Sequence, residues 1–439
     1  MKKITRGILT TIIIVLILAL LTGMVLVFMA FRYNGKWKME AYGFCFDING
    51  GVVKAYEVTD KHYTRMKKYD GFIIKDTLYS GIGKFSLDKE DDRLILTDKG
   101  SQVVYPTIKM SKNYFDDMAK VSSDDPVAKF DMFYEILKEN YAFADMYGVN
   151  FDDEYEKWAP LITADTSDET LYTYMCSMVE KLDDGHVEIS WRDKEFNPSD
   201  HVPKWITDKD QLNLLANTIK GNYVKDYYKF KDCYIRYGTL REDTGYIIIQ
   251  GLGMEELNKS KSTKKAMDKI IKQFESKKTI VIDLRFCGGG FDEASLLIAG
   301  YFTQDRYLSY KKQAYYKGTF TELQDIYVNP SKLYYQGDIV ILTSGYTISA
   351  GEILIRSMLA NPKNKITIVG EKTAGYYSDS IPKVLPGGFS FGMSTERFYW
   401  YEDTMLEGKG IVPEVEIPVD IKDAEKGIDK ALDWVLKNY

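Results

Sequence analysis

The chain has 439 residues, and its 58 basic and 64 acidic side chains give a formal net charge of −6. This length predicts about two or three domains, and a hydrophobic fraction of 45% excludes a disordered or low-complexity chain. The mild acidity argues against a nucleic-acid partner, because phosphate binding needs clustered positive charge. The chain has only three histidines, which argues against a histidine-rich metal site, and we expect neither a metal nor a cofactor.

The amino-terminal segment carries no charged side chain from Gly7 to Phe31. A helix needs about 20 apolar residues to cross a bilayer, and this run is longer. A cleaved signal peptide is the alternative, but its apolar region is normally shorter and ends at a small-residue cleavage site. We therefore expect residues 1–35 to be a short basic cytoplasmic stub and a single-pass transmembrane anchor. The rest of the chain would then lie outside the cytoplasm.

Residues 36–110 alternate apolar and polar positions in short runs. FCFDI and VVKAYEV flank Asn49-Gly50-Gly51, which is a hairpin signal, and FIIKDTLY, GKFSL and RLILT follow as further strand segments. This pattern predicts a small antiparallel β domain, a sandwich or a barrel. It contains no catalytic signature, so we expect a structural or recognition role.

Residues 111–205 change to a helical period. Asp125-Pro126 is typical of a helix start, and apolar residues recur at helical spacing after it. A second apolar helix ends just before Asp183-Asp184-Gly185, and His186 follows the glycine. We expect a helical segment that ends in this DGH motif.

Residues 206–439 alternate strands and helices. The predicted strands GYIIIQGL, TIVIDLRF, DIVILT and KITIVGE are separated by helical segments such as FDEASLLIAGYF and AGEILIRSMLA. Continuous apolar strands that alternate with helices indicate an α/β domain with a mainly parallel sheet. The four cysteines have neither CxxC nor zinc spacing, so we expect four free thiols, with two disulfides as the alternative.

Two strand-to-helix junctions could carry chemistry. Cys287 is followed by Gly288, Gly289 and Gly290, which suit an oxyanion-binding turn or simply a tight turn. Ser349 lies where the next junction enters a helix. It could be only a helix cap, but a helix amino terminus also stabilises the negative charge that forms when a serine attacks a carbonyl. Ser344 and Thr347 are competing hydroxyls on this turn.

A serine nucleophile needs a base, and three histidines are candidates. His186 follows a helix end and a glycine, a position that exposes a side chain. His62 is expected on the surface of the β domain, and His201 is expected to be a structural loop residue.

Five segments occur in one order from about residue 125 to the end of the chain. They are KLDDGHVEIS, VIDLRFCGGG, TISAGEI, GEKTAG and EGKGIVPEVEI. In this order they resemble the C-terminal-processing peptidase family, specifically its tricorn-like serine/histidine branch. The resemblance implies a ClpP/crotonase-like α/β core preceded by a helical segment.

The resemblance also implies a site and an activity. Ser349 would be the nucleophile, His186 the general base and acid, and Glu407 the group that orients or supports the site, while the amides of Gly288, Gly289 and Ala350 would form the oxyanion hole. Together with the anchor expected from residues 7–31, this predicts a membrane-anchored serine peptidase, an endopeptidase or a tail-specific one, whose substrate is a peptide or protein. The alternative is an inactive relative that keeps the fold and binds peptides or hydrophobic ligands.

Three positions depart from the family pattern. Gly185 stands where the tricorn type has a serine that links the histidine to the glutamate. Tyr376 stands near the place of the lysine in serine–lysine relatives, with Lys372 as a poor substitute. Cys287 replaces an asparagine, which leaves a thiol mechanism as a minor alternative.

Overall fold

The computed structural model describes residues 30–199, 201–253, 260–400 and 404–439. The predicted anchor lies outside these ranges except for Ala30 and Phe31. In the ranges that are described, we find no helix with the length and apolarity needed to cross a membrane.

The first part of the described chain forms one antiparallel sheet of ten strands, with a single parallel pair at one end. Its last strand in the spatial order also pairs with an inner strand, so the sheet curls towards a barrel. The strands are β1 (Gly35–Met39), β2 (Phe44–Asn49), β3 (Val52–Val58), β4 (His62–Arg65), β5 (Gly71–Ile74), β6 (Thr77–Ser80), β7 (Gly83–Glu90), β8 (Arg93–Thr97), β9 (Val104–Met110) and β10 (Ala119–Lys120).

The β-rich amino-terminal region is confirmed, including the β2–β3 hairpin at the Asn-Gly-Gly turn. The treatment of FIIKDTLY as one strand segment is wrong. It forms the two strands β5 and β6, because Lys75 adopts a φ of 53° and reverses the chain.

A helical layer follows the sheet. Asp125 caps its first helix by accepting a hydrogen bond from the Ala128 amide at 2.9 Å. The layer leads through His186 into a small second sheet. The elements are α1 (Pro126–Asn140), α2 (Phe151–Trp158), α3 (Asp168–Val179), β11 (Glu188–Trp191), β12 (Lys194–Phe196), α4 (Lys204–Thr207) and α5 (Lys209–Thr218).

The carboxyl-terminal half is built on a seven-stranded sheet in the order β13-β14-β15-β16-β20-β21-β25, which is parallel from β15 onward. The predicted mainly parallel α/β core is therefore confirmed. Its elements are β13 (Lys225–Lys229), β14 (Ile235–Arg241), β15 (Thr244–Ile249), α6 (Lys261–Phe274), β16 (Thr279–Asp283), α7 (Asp292–Ala299), β17 (Tyr307–Tyr316), β18 (Thr319–Phe320), β19 (Gln324–Val328), β20 (Asp338–Thr343), α8 (Ala350–Leu359), β21 (Ile366–Gly370), β22 (Lys383–Leu385), β23 (Phe389–Gly392), β24 (Glu396–Tyr399), β25 (Val415–Glu416), α9 (Ile421–Glu425) and α10 (Lys430–Asn438).

Buried polar contacts join the ten-stranded sheet to the α/β core. Lys383 Nζ lies 2.7 Å from Glu57 Oε1, and both side chains are fully buried. Tyr42 donates to Glu396 at 2.6 Å, and Glu396 pairs with Lys312 at 2.9 Å. Because breaking a buried ion pair costs about 3–5 kcal/mol, these contacts hold the two parts in one arrangement.

Candidate active site

Ser349 lies on the turn between β20 and α8 in a strained conformation. Its φ is 56° and its ψ is −124°, in a region that side chains other than glycine rarely adopt. Such strain costs about 1–3 kcal/mol and persists only where the surrounding structure imposes it. The turn presents a partly exposed serine at the amino terminus of α8, a placement typical of a nucleophile on a sharp strand-to-helix turn.

The two competing hydroxyls on this turn have structural partners. Ser344 Oγ donates to the Arg285 carbonyl at 2.7 Å, and Thr347 Oγ1 donates to the Leu284 carbonyl at 2.9 Å. Both side chains are fully buried and tie the turn to the end of β16. Ser349 is therefore the hydroxyl of this turn that a substrate could reach.

The glycine turn after β16 lies against Ser349. The Ile348 amide donates to the Cys287 carbonyl at 3.2 Å and holds the two turns together. Gly289 has a φ of 93°, and a Cβ atom placed on it would lie 2.9 Å from Ser349 Cβ and 3.4 Å from Ser349 Oγ. Only glycine allows this backbone to approach the serine so closely.

The three amides assigned to the oxyanion hole have different surroundings. The Gly288 amide donates to the Gln250 carbonyl at 3.3 Å, so it is already engaged. Gly289 adjoins the serine side chain, and its amide contacts the Cys287 thiol, which is a weak hydrogen-bond acceptor. The Ala350 amide opens α8 and, in the described part of the chain, donates to no backbone carbonyl. Gly289 and Ala350 are therefore better placed than Gly288 to receive an oxyanion.

A buried carboxylate connects the Ser349 turn to the segment that follows β21. Glu352 accepts hydrogen bonds from the Ser349 amide at 3.3 Å, the Tyr376 amide at 2.9 Å, the Gly375 amide at 2.8 Å and the Thr373 hydroxyl at 2.5 Å. Burial raises the pKa of Glu352 to about 7, although its four donors favour the charged form. This one side chain sets the geometry of both segments.

His186 lies beside two acidic groups. Its backbone amide donates to Asp184 Oδ1 at 2.9 Å, and the Tyr141 hydroxyl donates to Asp184 Oδ2 at 2.9 Å. Asp184, His186 and Glu407 bring one ligand-type atom each within 4.8 Å of one another, and one cation could also reach this set. His186 Nδ1 and Glu407 Oε1 are buried, and neither finds a hydrogen-bond partner among the described residues.

Burial controls the ionisation of this cluster. It lowers the pKa of His186, against the opposing charges of Asp184 and Asp379, so the imidazole is neutral and able to accept a proton near neutral pH. Burial, and to a smaller extent the charge of Asp184, raises the pKa of Glu407 well above its ordinary value. The other Glu407 oxygen accepts from the Tyr377 and Ser378 amides at 3.0 and 3.1 Å.

Tyr376 lies between the Ser349 turn and His186. Its amide shares the Glu352 carboxylate with the Ser349 amide, and its ring centroid is 6.3 Å from that of His186. The described residues include no hydrogen bond between Ser349 Oγ and the His186 ring. Such contacts are often long before substrate binds and tighten in the complex.

Two of the departures from the family pattern are coupled through packing. A Cβ atom placed on Gly185 would lie 2.4 Å from the Tyr376 ring, so a serine would not fit at position 185 beside this tyrosine. The tyrosine itself is held by a 2.5 Å hydrogen bond to Ser199.

The other catalytic alternatives have little support. Lys372 is exposed, and Tyr376, which stands near the sequence position of the lysine in serine–lysine relatives, is buried. Cys287 is fully buried, and burial raises the pKa of its thiol to about 12, so it is protonated at neutral pH. The structure describes all four cysteines, and it joins none of them in a disulfide.

The remaining histidines have structural partners. The prediction of a surface position for His62 is wrong, because His62 is buried between β4 and α1 with its Nδ1 2.9 Å from Glu135 Oε2. His201 is exposed, and its Nε2 lies 2.8 Å from Asp183 Oδ2.

Asp184 and Glu352 lie inside the motifs quoted above, but no role was predicted for either from the sequence. The signal for Asp184 was its place two residues before His186. Glu352 could have been noticed because it is a single acidic residue in the first turn of a helix whose buried face is otherwise mainly apolar. Neither signal indicates which backbone amides a carboxylate will meet.

The chain resembles known proteins in sequence and in fold. Residues 243–417 match the profile of Peptidase family S41. Among solved structures, a candidate peptidase from Parabacteroides merdae ATCC 43184 is 22% identical, with 71% of this chain and 96% of that chain covered and a TM-score of 0.58. Mature CPAF is 10% identical over 71% of this chain and 96% of that chain, with a TM-score of 0.54.

At these identities the structural matches show a shared fold, and the family profile identifies the kind of catalytic domain. The resemblance stated from the sequence motifs is thereby confirmed, and so is the predicted class of enzyme, a hydrolase of peptide bonds. Residues 243–417 therefore correspond to a peptidase domain of family S41.

Proposed function

We propose that this protein is a membrane-anchored serine peptidase that cleaves peptides or proteins through an acyl-enzyme on Ser349, with His186 as the general base and acid. The observation that carries the proposal is the strained Ser349 turn, which packs against Gly289 and begins a helix. Strain of this kind is expected where a nucleophile must be presented.

The proposed reaction begins with attack of Ser349 Oγ on the carbonyl carbon of the scissile bond. His186 accepts the hydroxyl proton, and the amides of Gly289 and Ala350 stabilise the oxyanion. The intermediate collapses to an acyl-enzyme when the C–N bond breaks and His186 gives its proton to the leaving amine. Water then attacks the ester carbonyl with His186 again as base. The bond between the acyl carbon and Ser349 Oγ breaks, His186 returns the proton to Ser349, and the product leaves as a carboxylic acid.

Asp184 and Glu407 support the proton transfer in this proposal. When His186 becomes positively charged, the anionic Asp184 next to it stabilises the imidazolium. Glu407 lies in the same cluster. Because the family's linking serine is absent, Glu407 would interact with the imidazole either directly or through a water molecule. Substrate binding would close the gap between Ser349 and His186.

Fluorophosphonate labelling tests the nucleophile and the base. Ser349→Ala is expected to abolish labelling, and His186→Ala to slow it about 10²- to 10⁴-fold, as for loss of a general base. Lys372→Ala is the matched control and should label at the wild-type rate. Equal labelling of wild type and Ser349→Ala would contradict Ser349 as the nucleophile, and a wild-type protein that does not label would favour the alternative, a binding protein that retains the fold.

Gly289→Ala tests the proposed oxyanion donor. The added methyl group would lie 2.9 Å from Ser349 Cβ, and loss of an oxyanion contact costs about 10²- to 10³-fold in rate. Gly388→Ala is the control, because Gly388 has a φ of 85° but nothing within 4 Å of its Cβ position. If the two variants lose the same activity against a peptide substrate, backbone strain rather than the oxyanion site explains the loss.

The pH dependence of labelling tests the electrostatics. Since burial lowers the pKa of His186, the labelling rate should reach its plateau with an inflection below about 6.5, the ordinary value for histidine. Asp184→Asn removes a charge that favours the imidazolium, so the inflection should move lower still. Asp183→Asn, an exposed neighbour, should leave it unchanged. An inflection above the ordinary value would contradict this assignment.

The anchor is part of the proposal because residues 7–31 form an uncharged run long enough to span a bilayer. We expect the full chain to stay with membranes after alkaline carbonate extraction and to float with vesicles. Replacing Leu16 and Leu18 with arginine should release it, because charges at the centre of a span are strongly disfavoured. Recovery of the wild-type chain in the carbonate supernatant would contradict the anchor.

A further inference from the structure

The ten-stranded sheet carries a row of exposed apolar side chains on its outer surface. Val52 in β3 is paired with Phe72 in β5, and Phe72 is paired with Tyr79 in β6. Ile74 lies two residues beyond Phe72, so it points to the same face. Their exposed fractions are 58% for Val52, 52% for Phe72, 42% for Ile74 and 36% for Tyr79. We call these four residues the outer apolar face.

The described chain begins beside this face. A Cβ atom placed on Gly50, in the turn that leads to Val52, would lie 3.8 Å from Phe31 Cζ. The Gly50 amide donates to Asn34 Oδ1 at 2.9 Å. Tyr33 donates to Asp76, in the β5–β6 turn, at 2.9 Å, and Arg32 forms an ion pair with the same carboxylate. The start of the domain is therefore fixed at the edge of the outer apolar face.

Almost no linker separates the predicted anchor from the folded domain. The uncharged run ends at Phe31, and Tyr33 is already fully buried in the domain. Two residues span at most about 7 Å. If residues 7–31 cross a bilayer, this short connection keeps the sheet close to the membrane surface.

The charges around the outer apolar face suit an anionic surface. Lys67, Lys68, Lys75 and Lys84 are exposed around it, and Lys84 is paired with Tyr79 across the strands. The nearby acids are neutralised, since Asp76 pairs with Arg32 and Asp70 pairs with Arg65. From residue 30 to 86 the chain has ten basic and six acidic residues, whereas the whole chain is net negative.

We propose that the outer apolar face lies on the bilayer, with Phe72 and Ile74 in the boundary between headgroups and acyl chains and the four lysines on anionic headgroups. This inference rests on the anchor in the proposed function and goes beyond it, because an anchor alone does not fix orientation. Apolar groups at such surfaces enter by about 5–10 Å, and tyrosine is favoured at this depth. The contact would hold the α/β core in one orientation above the membrane.

The test uses the full chain in vesicles of phosphatidylcholine and phosphatidylglycerol, with a single cysteine labelled with an environment-sensitive fluorophore. The four native cysteines are buried, so a new surface cysteine can be labelled selectively. Phe72→Cys and, independently, Tyr79→Cys report on the outer apolar face. Tyr234→Cys is the control, because Tyr234 is a similarly exposed aromatic residue between β13 and β14 in the α/β core.

Labels at positions 72 and 79 should show blue-shifted emission and quenching by doxyl-labelled lipids, at a depth of about 5–10 Å, and the label at 234 should show neither. A chain that floats with vesicles but has a water-like, unquenched label at 72 would overturn the docking and leave the anchor standing. A blue shift without lipid quenching would also overturn it, because residues 1–29 or a second copy would then cover the face. A chain that does not float would overturn the anchor and this inference together, while fluorophosphonate labelling still tests the peptidase separately.

Discussion

The Glu352 carboxylate is the constraint on which the candidate site depends. It is buried, and it accepts hydrogen bonds from the amides of Ser349, Gly375 and Tyr376 and from the Thr373 hydroxyl. Removing such an acceptor leaves several buried donors unpaired, at about 1–3 kcal/mol each. The Glu352 side chain on α8 therefore holds two parts of the site, the strained Ser349 turn and the segment after β21. That segment contains Tyr376, which lies beside His186.

That segment shows how the chain packs around His186, the proposed base, without the serine that the family pattern has before the histidine. Tyr376 fills the space beside Gly185, and the following amides of Tyr377 and Ser378 bind Glu407. Glu407 then lies within 4.8 Å of His186 without an intervening serine. The departures at positions 185 and 376 are thus two sides of one packing arrangement, and the neutral imidazole that burial produces is the form that a general base needs.

Much of this architecture could be predicted from local patterns, because apolar strands, glycine turns and helix starts are encoded by neighbouring residues. DIVILT forms β20 with the predicted bounds, and Ser349 directly precedes α8 as expected. The hairpin at Lys75 was missed because nothing in its residue type demands a positive φ. The burial of His62 against Glu135 and the gathering of four donors on Glu352 were also missed, since each depends on segments that are distant in sequence. Motifs identified His186 and Glu407 separately, but only the fold brings them together.

If Glu352 positions Ser349, fluorophosphonate should label Glu352→Gln about a hundredfold more slowly than the wild type, as for a displacement of about 1 Å at a reacting group. Thermal unfolding of this variant should remain cooperative. Glu154→Gln, which alters a buried acid on α2, should label at the wild-type rate. Labelling of Glu352→Gln at the wild-type rate would mean that the Ser349 turn keeps its reactive geometry without this carboxylate.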